Sequence, residues 1–346
     1  MKSRNSEFVG RKACQSSLAI IVVLCAWPLC ASGQQQSQVK VKPAQLELKG
    51  FSWSTGSAPP LARGGYYAAS FRGGIVLAGG TYWKSGEKLW TGRVDFFEPA
   101  QKRWTSWPAL PRPLAYGAMV RIGDSLYLLG GTHGDQPHQE IYRFRGERWE
   151  QVGETPSLLF YTAAVAVDQR VYLLGGGRSI RDLTQATREV WVADRRDFKW
   201  RRLPDIPGPE RVIHTAAAID DTIYVFGGCH LEADQPLQNL DDAYRFDTAK
   251  RTWRRIQDAP LAVRAWWAQP SAGVVYLFGG YADRFLDHVY QYDPTRDAYT
   301  LVSRLPQALC DTKFLLHSDG KFYGISGEDQ MASRFNGTLV GETRDF

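Results

Sequence analysis

The stretch from Ala216 to Trp253, AAAIDDTIYVFGGCHLEADQPLQNLDDAYRFDTAKRTW, decides the fold. A run of small apolar residues meets a polar turn at Asp220-Asp221, and a second run, Thr222 to Phe226, ends at Gly227-Gly228. A polar loop follows, then Ala243 to Phe246, a turn over Asp247 to Lys250, and Trp253. The apolar runs are short and rich in β-branched and aromatic residues, the composition of strands. One such unit is four strands long.

The unit returns along the chain. The second glycine of the pair falls at Gly80, Gly131, Gly176, Gly228 and Gly280, with an altered sixth copy at Ser326-Gly327, so the intervals are 51, 45, 52, 52 and 47. The fourth-strand aromatic falls at Trp53, Trp104, Trp149, Trp200, Trp253 and Tyr299. A four-stranded period of roughly 50 residues with Gly-Gly and a distal Trp resembles the kelch repeat, one blade of a β-propeller. Trp53 has no Gly-Gly before it and Gly327 has no Trp after it. The two fragments therefore make one blade, which predicts an all-β, six-bladed kelch-type β-propeller over 51–346, closed by an N-terminal strand around Phe51 to Ser54 that completes the C-terminal blade. Closure of this kind removes exposed sheet edges.

Ahead of the ring, Lys2, Arg4, Arg11 and Lys12 precede an apolar run from Leu18 to Leu29, a signal peptide's pattern and too short for a membrane span. Cleavage is expected after Gly33, with a flexible leader over 34–50. Export to the periplasm or the medium follows, without a membrane anchor after cleavage. The formal charge of +6 falls to +3 once residues 1–33 are removed, and no Lys/Arg run of a nucleic-acid binder is present. Of five cysteines, only Cys229 and Cys310 lie in the ring, in blades that are not neighbours, and they read as two buried thiols. No CxxC or HxxxH spacing points to a metal, and no cofactor is expected.

The turns between first and second, and third and fourth, strands are tight, whereas the second-to-third loops are long: Thr81 to Arg93, Thr132 to Gln139, Gly177 to Arg188, Cys229 to Asp241, Tyr281 to Asp287 and Glu328 to Phe335. Long loops on a rigid frame are where sites are built. On that face Arg63, Arg211 and Arg264 stand before the innermost strands, and His133, Arg178, His230 and Glu328 follow the glycines. An arginine cluster suits a carboxylate-bearing ligand, because guanidinium presents a forked donor; the bland alternative is pairing with neighbouring carboxylates such as Glu210. Trp83 and Trp90 break the repeat, and with Tyr116 they are candidates for stacking on a sugar ring, while Trp104, Trp149, Trp200 and Trp253 read as core.

Two local features go further: Gly327-Glu328-Asp329-Gln330-Met331-Ala332-Ser333-Arg334, and the run LARGGYYAASFRGGIVLAGGTYW from Leu61, followed a blade later by PLAYGAMVRIGDSLYLLGG from Pro113. Together these resemble the N-acetylneuraminate epimerase (sialic acid mutarotase) family of periplasmic kelch propellers, in a cyclically permuted order that a ring of blades tolerates. The resemblance implies an isomerase for a small acidic sugar, with Glu328 as acid/base and Arg334 holding the substrate carboxylate. Arg63, Arg211, Arg264, Trp83, Tyr116, His133 and His230 are expected as substrate-binding residues. The rival reading is a propeller that binds a glycan or a protein and catalyses nothing. A copper radical oxidase would need a Tyr–Cys cross-link and two His ligands, which Cys229, His230 and His133 suggest only by type. The Ser-x-Asp-x-Gly boxes of sialidases do not occur.

Overall fold

The computed structural model describes residues 50–344. The expected signal peptide, 1–33, and all of the 34–50 leader but Gly50 lie outside the described residues. Within them the chain forms six four-stranded antiparallel sheets, the predicted blades. Their innermost strands are Tyr67–Phe71, Ala118–Ile122, Ala163–Val167, Thr215–Ile219, Trp267–Ser271 and Lys313–Leu316. Blade 6 consists of Lys313–Leu316, Phe322–Ile325, Thr338–Thr343 and, outermost, Phe51–Gly56, whose register runs from Phe51 opposite Thr343 to Gly56 opposite Thr338. The ring is thus closed by pairing the start of the propeller with its end.

The repeated residues have distinct physical tasks. The second glycine of every pair sits at φ between 95° and 111°, which only glycine takes without strain, whereas the first sits near 55–60°, a region a small polar residue tolerates. That is why Ser326, at φ 57°, can replace a glycine while Gly327, at φ 104°, cannot be replaced. The exchange also serves closure: Ser326 Oγ accepts from Arg63 N at 2.6 Å and donates to Arg63 O at 2.8 Å, joining blade 6 to blade 1. The outer tryptophans stitch neighbours in turn, Nε1 of Trp53, Trp104, Trp149, Trp200 and Trp253 each donating to an oxygen at or just beyond the outer strand of the preceding blade. Tyr299 takes this place in blade 5 with its hydroxyl buried.

Several of the long loops hold more order than expected, and in blade 2 the strands Ser125–His133 and Gln136–Phe144 simply run on through the loop as a hairpin. Thr81–Lys84 and Glu87–Trp90 pair as a hairpin, as do Cys229–His230 and Gln238–Asn239. The first turns through Ser85 (φ 52°) and Gly86 (φ 80°), both left-handed, as a two-residue turn of the I′ type requires. Cys229 and Cys310 are buried and are not joined in a disulfide.

Candidate functional site

One residue per blade follows the glycine pair and bridges the segment leading into an innermost strand: Thr81 to Gly64, Thr132 to Ala115, Gly177 to Phe160, Cys229 to Val212, Tyr281 to Arg264 and Glu328 to Cys310. These bridges place the long loops and the blade-to-blade connections on one face. In blade 6 the slot holds Glu328. The loop after it turns back, Phe335 N donating to Gly327 O at 3.0 Å, and so returns Arg334 to Glu328, with Nη1 2.8 Å from Oε1. The Cys310 thiol donates to Glu328 Oε2 at 3.7 Å.

Blade 1 supplies the opposite wall. Residues two apart on a strand share a face, and so do their cross-strand partners; since Thr81 pairs with Trp90 and Trp83 with Lys88, those four side chains lie on one face of the hairpin. That face meets the acid–arginine pair. Arg334 Nε donates to Thr81 O at 3.2 Å and Nη2 to Thr81 Oγ1 at 2.9 Å, while its guanidinium carbon stands 6.0 Å from the Trp83 ring centre. Thr81 Oγ1 is also 3.1 Å from the hydroxyl of Tyr116, and Lys88 Nζ lies 4.8 Å from the Tyr116 ring centre and 5.6 Å from that of Trp90.

Under these walls runs a ring of backbone. Tyr116, Tyr161, Ile213, Ala265 and Asp311 are all left-handed, and each donates its N–H to the carbonyl of the corresponding residue one blade earlier, beginning at Gly65. At the closure the pattern changes: Gly65 N donates to the Asp311 carboxylate. Asp311 Oδ1 also pairs with Lys313 Nζ at 2.8 Å. Below the ring a cavity follows the propeller axis, lined by Tyr67, Thr162, His214, Trp266, Trp267 and Lys313 among others. Glu328 and Arg334 stand outside that lining, whereas Tyr116 and Asp311 belong to it and lie close enough to Glu328 to interact with its charge.

The electrostatics follow from this enclosure. Burial raises the proton affinity of Glu328 above the ordinary carboxylate range; Arg334 opposes the shift, Asp311 adds to it, and Lys88 and the Cys310 hydrogen bond work against it. Arg334 answers only part of the desolvation, so the net effect on Glu328 is upward. Burial likewise raises the Tyr116 phenol, keeping it neutral.

The structure brings together Glu328, Arg334, Trp83 and Tyr116, with His133 at the edge, its ring 6.3 Å from that of Trp90 and its Nδ1 3.1 Å from Pro113 O. Arg63 and Arg211 belong elsewhere. Both are fully buried, Arg63 against Asp95 and Arg211 against both oxygens of Asp242 at 2.8 and 2.7 Å, so they are struts of the scaffold rather than a carboxylate clamp. Burial lowers the Arg63 pKa from its ordinary value, with Asp95 countering. Arg264 donates to Asn239 Oδ1 at 2.6 Å and stacks on Tyr281, and His230 lies against Glu210 O at 2.9 Å, both among blades 4 and 5. Sequence reasoning missed Lys88, Thr81 and Asp311. The alternation Thr81, Trp83 on one side of Ser85-Gly86 and Lys88, Trp90 on the other was the available signal. Among the described residues no group of three or more His, Cys, Asp or Glu gathers as for a metal ion, and no helix is long and apolar enough to cross a membrane.

A family model described as the KLHDC2/KLHL20/DRC7 Kelch-repeats domain matches residues 118–319. The chain is 32% identical over 83 residues to N-acetylneuraminate epimerase of Haemophilus influenzae (strain PittEE), a match covering 24% of this chain and 22% of that protein. It is 34% identical over 101 residues to the protein of the same name from Vibrio vulnificus (strain YJ016), covering 28% and 26%. Kelch-like protein 25 of Xenopus tropicalis is 23% identical over 270 residues, 76% of this chain and 36% of that protein. The chain thus spans about a quarter of the length of the epimerases it matches.

Proposed function

Since this chain belongs to the kelch-repeat family, whose model matches more than half of it, we propose that it is a sugar isomerase whose Glu328 cleft interconverts the anomers of an acidic sugar, N-acetylneuraminate in the first instance. The observation that carries the reading is Glu328 itself: a carboxyl enclosed at the channel mouth and paired to Arg334 at 2.8 Å, beside the half-buried rings of Trp83 and Trp90 on which a sugar ring can lie. The local matches to two N-acetylneuraminate epimerases support the same class.

Anomerisation of a 2-keto sugar breaks the bond from the anomeric carbon to the ring oxygen. The proton of the anomeric hydroxyl leaves as its oxygen becomes the ketone, and the ring oxygen takes the electron pair and a proton. A carboxylic acid can do both, its O–H giving a proton to the ring oxygen while its carbonyl oxygen accepts the other. The ketone then rotates, and reclosure on its other face reverses each transfer, leaving Glu328 as it began. The N-terminal segment, on this reading, exports the protein to the compartment where such sugars are released.

A binding role without catalysis has one observation in its favour, the Kelch-like protein 25 match, which runs over far more of the chain than the epimerase matches do. Proton NMR of freshly released α-N-acetylneuraminate separates the two. The wild type is expected to accelerate appearance of the β anomer, and Glu328→Gln to lose roughly 10²- to 10⁴-fold, the range for removal of a general acid/base. A wild-type rate equal to the spontaneous one sinks the assignment.

A further inference from the structure

Arg334 has little left to offer a ligand. Its Nε and Nη2 donate to the carbonyl and hydroxyl of Thr81, Nη1 donates to Ser333 O at 2.8 Å and also faces Glu328, and the side chain is 4% exposed. A guanidinium so committed fixes the root of the hairpin and the orientation of Glu328. It is a positioning residue, and the charge of an acidic ligand must be met by another group.

Lys88 is placed for that. It stands on the hairpin face shared with Thr81, Trp83 and Trp90, it is half-buried, and its ammonium lies over the Tyr116 and Trp90 rings. Its charge acts on Glu328, so it belongs to the same cleft. Around the site, Glu328 is paired with Arg334 and Asp311 with Lys313, each at 2.8 Å. The hairpin is built as an arm: its root is tied by the Thr81 bonds, while a Cβ added at Gly86 in its tip would meet nothing within 4 Å. Arg334 cannot move without releasing Glu328, whereas Lys88 stands beyond the hairpin's tied root.

Resting on the site assigned above, we infer that Lys88 is the residue that binds the anionic group of the ligand and makes the cleft selective for sugar acids over neutral sugars. Its ammonium would grip a carboxylate while Trp83 and Trp90 flank the ring, leaving Glu328 for the anomeric centre.

The test compares N-acetylneuraminate with its methyl ester, which keeps the hemiketal and lacks the charge, in the wild type, Lys88→Gln and Lys88→Arg. Loss of a charge-assisted hydrogen bond predicts a KM for the acid raised roughly tenfold to a hundredfold in Lys88→Gln, with kcat within about threefold, the ester unaffected, and Lys88→Arg largely restored. An unchanged KM, or equal effects on acid and ester, overturns the inference. Should the wild type not accelerate anomerisation at all, the isomerase reading fails separately, and binding of N-acetylneuraminate and glucuronate against their methyl esters, followed by NMR line broadening, decides for Lys88. Preference for the acids that vanishes in Lys88→Gln supports it; no preference, a preference that survives the substitution, or no binding of either acid overturns it.

Discussion

Blades 4 and 6 each carry a buried arginine–carboxylate pair, and the two pairs do different things. In blade 4, Arg211 meets both oxygens of Asp242, and Tyr244 closes on the same carboxylate at 2.9 Å; arginine and acid are 0% and 9% exposed. In blade 6, Arg334 is 4% exposed but Glu328 is 19%, and among the described residues one carboxylate oxygen has only a weak thiol donor. A fully matched pair is a strut. A pair with an under-satisfied acid at a channel mouth can take a proton from something else. The difference lies in the acid's surroundings, since the arginine is committed in both.

The comparison breaks first on stability. Arg211→Met leaves Asp242 buried beside a hydroxyl and no cation, and breaking a buried pair from one side costs about 3–5 kcal/mol. Arg334→Met is expected to cost less, about 1–2 kcal/mol, because Glu328 can keep its proton and become neutral. Urea unfolding of the two variants followed by circular dichroism checks the order; equal losses would mean that Glu328 is as dependent on its partner as Asp242 is.

A second buried titratable group sharpens the contrast between scaffold and site. His214 lines the axial cavity, and burial, then the charge of Arg211, holds its pKa at about 3, with the Leu174 carbonyl countering only in part. The folded state keeps this ring neutral while the unfolded chain protonates it near 6.5. Stability contributed by neutral His214 is therefore present above 6.5 and falls as pH drops toward 3, by about 1.4 kcal/mol per pH unit inside that window. His214→Gln should flatten this limb in denaturation measured from pH 7 to pH 4, and a slope that persists unchanged would assign it to other groups. Glu328 works in the opposite sense: its raised pKa means that a reaction needing the protonated carboxyl slows as pH rises through a midpoint above 4.5.

The blades were legible because their markers answer to backbone geometry. Glycine at φ near 100° and a tryptophan reaching back to the preceding blade recur wherever a strand must do the same thing, and even the exception at Ser326 falls at the one of the two positions that permits it. The site was legible in part. Glu328 and Arg334 stood out by motif, but Arg63 and Arg211 look alike in sequence to arginines aimed at a ligand. The correcting signal was a second repeat, Asp95 and Asp242 at separations of 32 and 31 residues, which marks a strut copied between blades. Lys88 was hidden for another reason: its loop read as irregular, and only the hairpin register turns a lysine in a loop into one that faces an acid across a cleft.

The smallest expected effect bears most directly on how Arg334 is seated. The residue bridging each post-glycine slot is Gly64, Ala115, Phe160, Val212, Arg264 or Cys310, so five blades carry a side chain there and blade 1 carries none. The reason lies across the closure. A Cβ on Gly64 would stand 2.8 Å from Arg334 Nε, 3.0 Å from Cζ and 3.2 Å from Asp311 Oδ2, whereas the backbone there is not in the left-handed region and would accept alanine. Gly64→Ala should therefore fold normally and displace the guanidinium by a few tenths of an ångström, loosening both Glu328 and the hairpin root. Misplacement on that scale predicts roughly a tenfold fall in kcat with the thermal midpoint nearly unchanged. If turnover holds, the seat of Arg334 over Gly64 is incidental to the chemistry. If turnover and stability fall together, the missing side chain at Gly64 reflects packing at the closure, and blade 1 differs from the other five for the sake of the ring instead of the site.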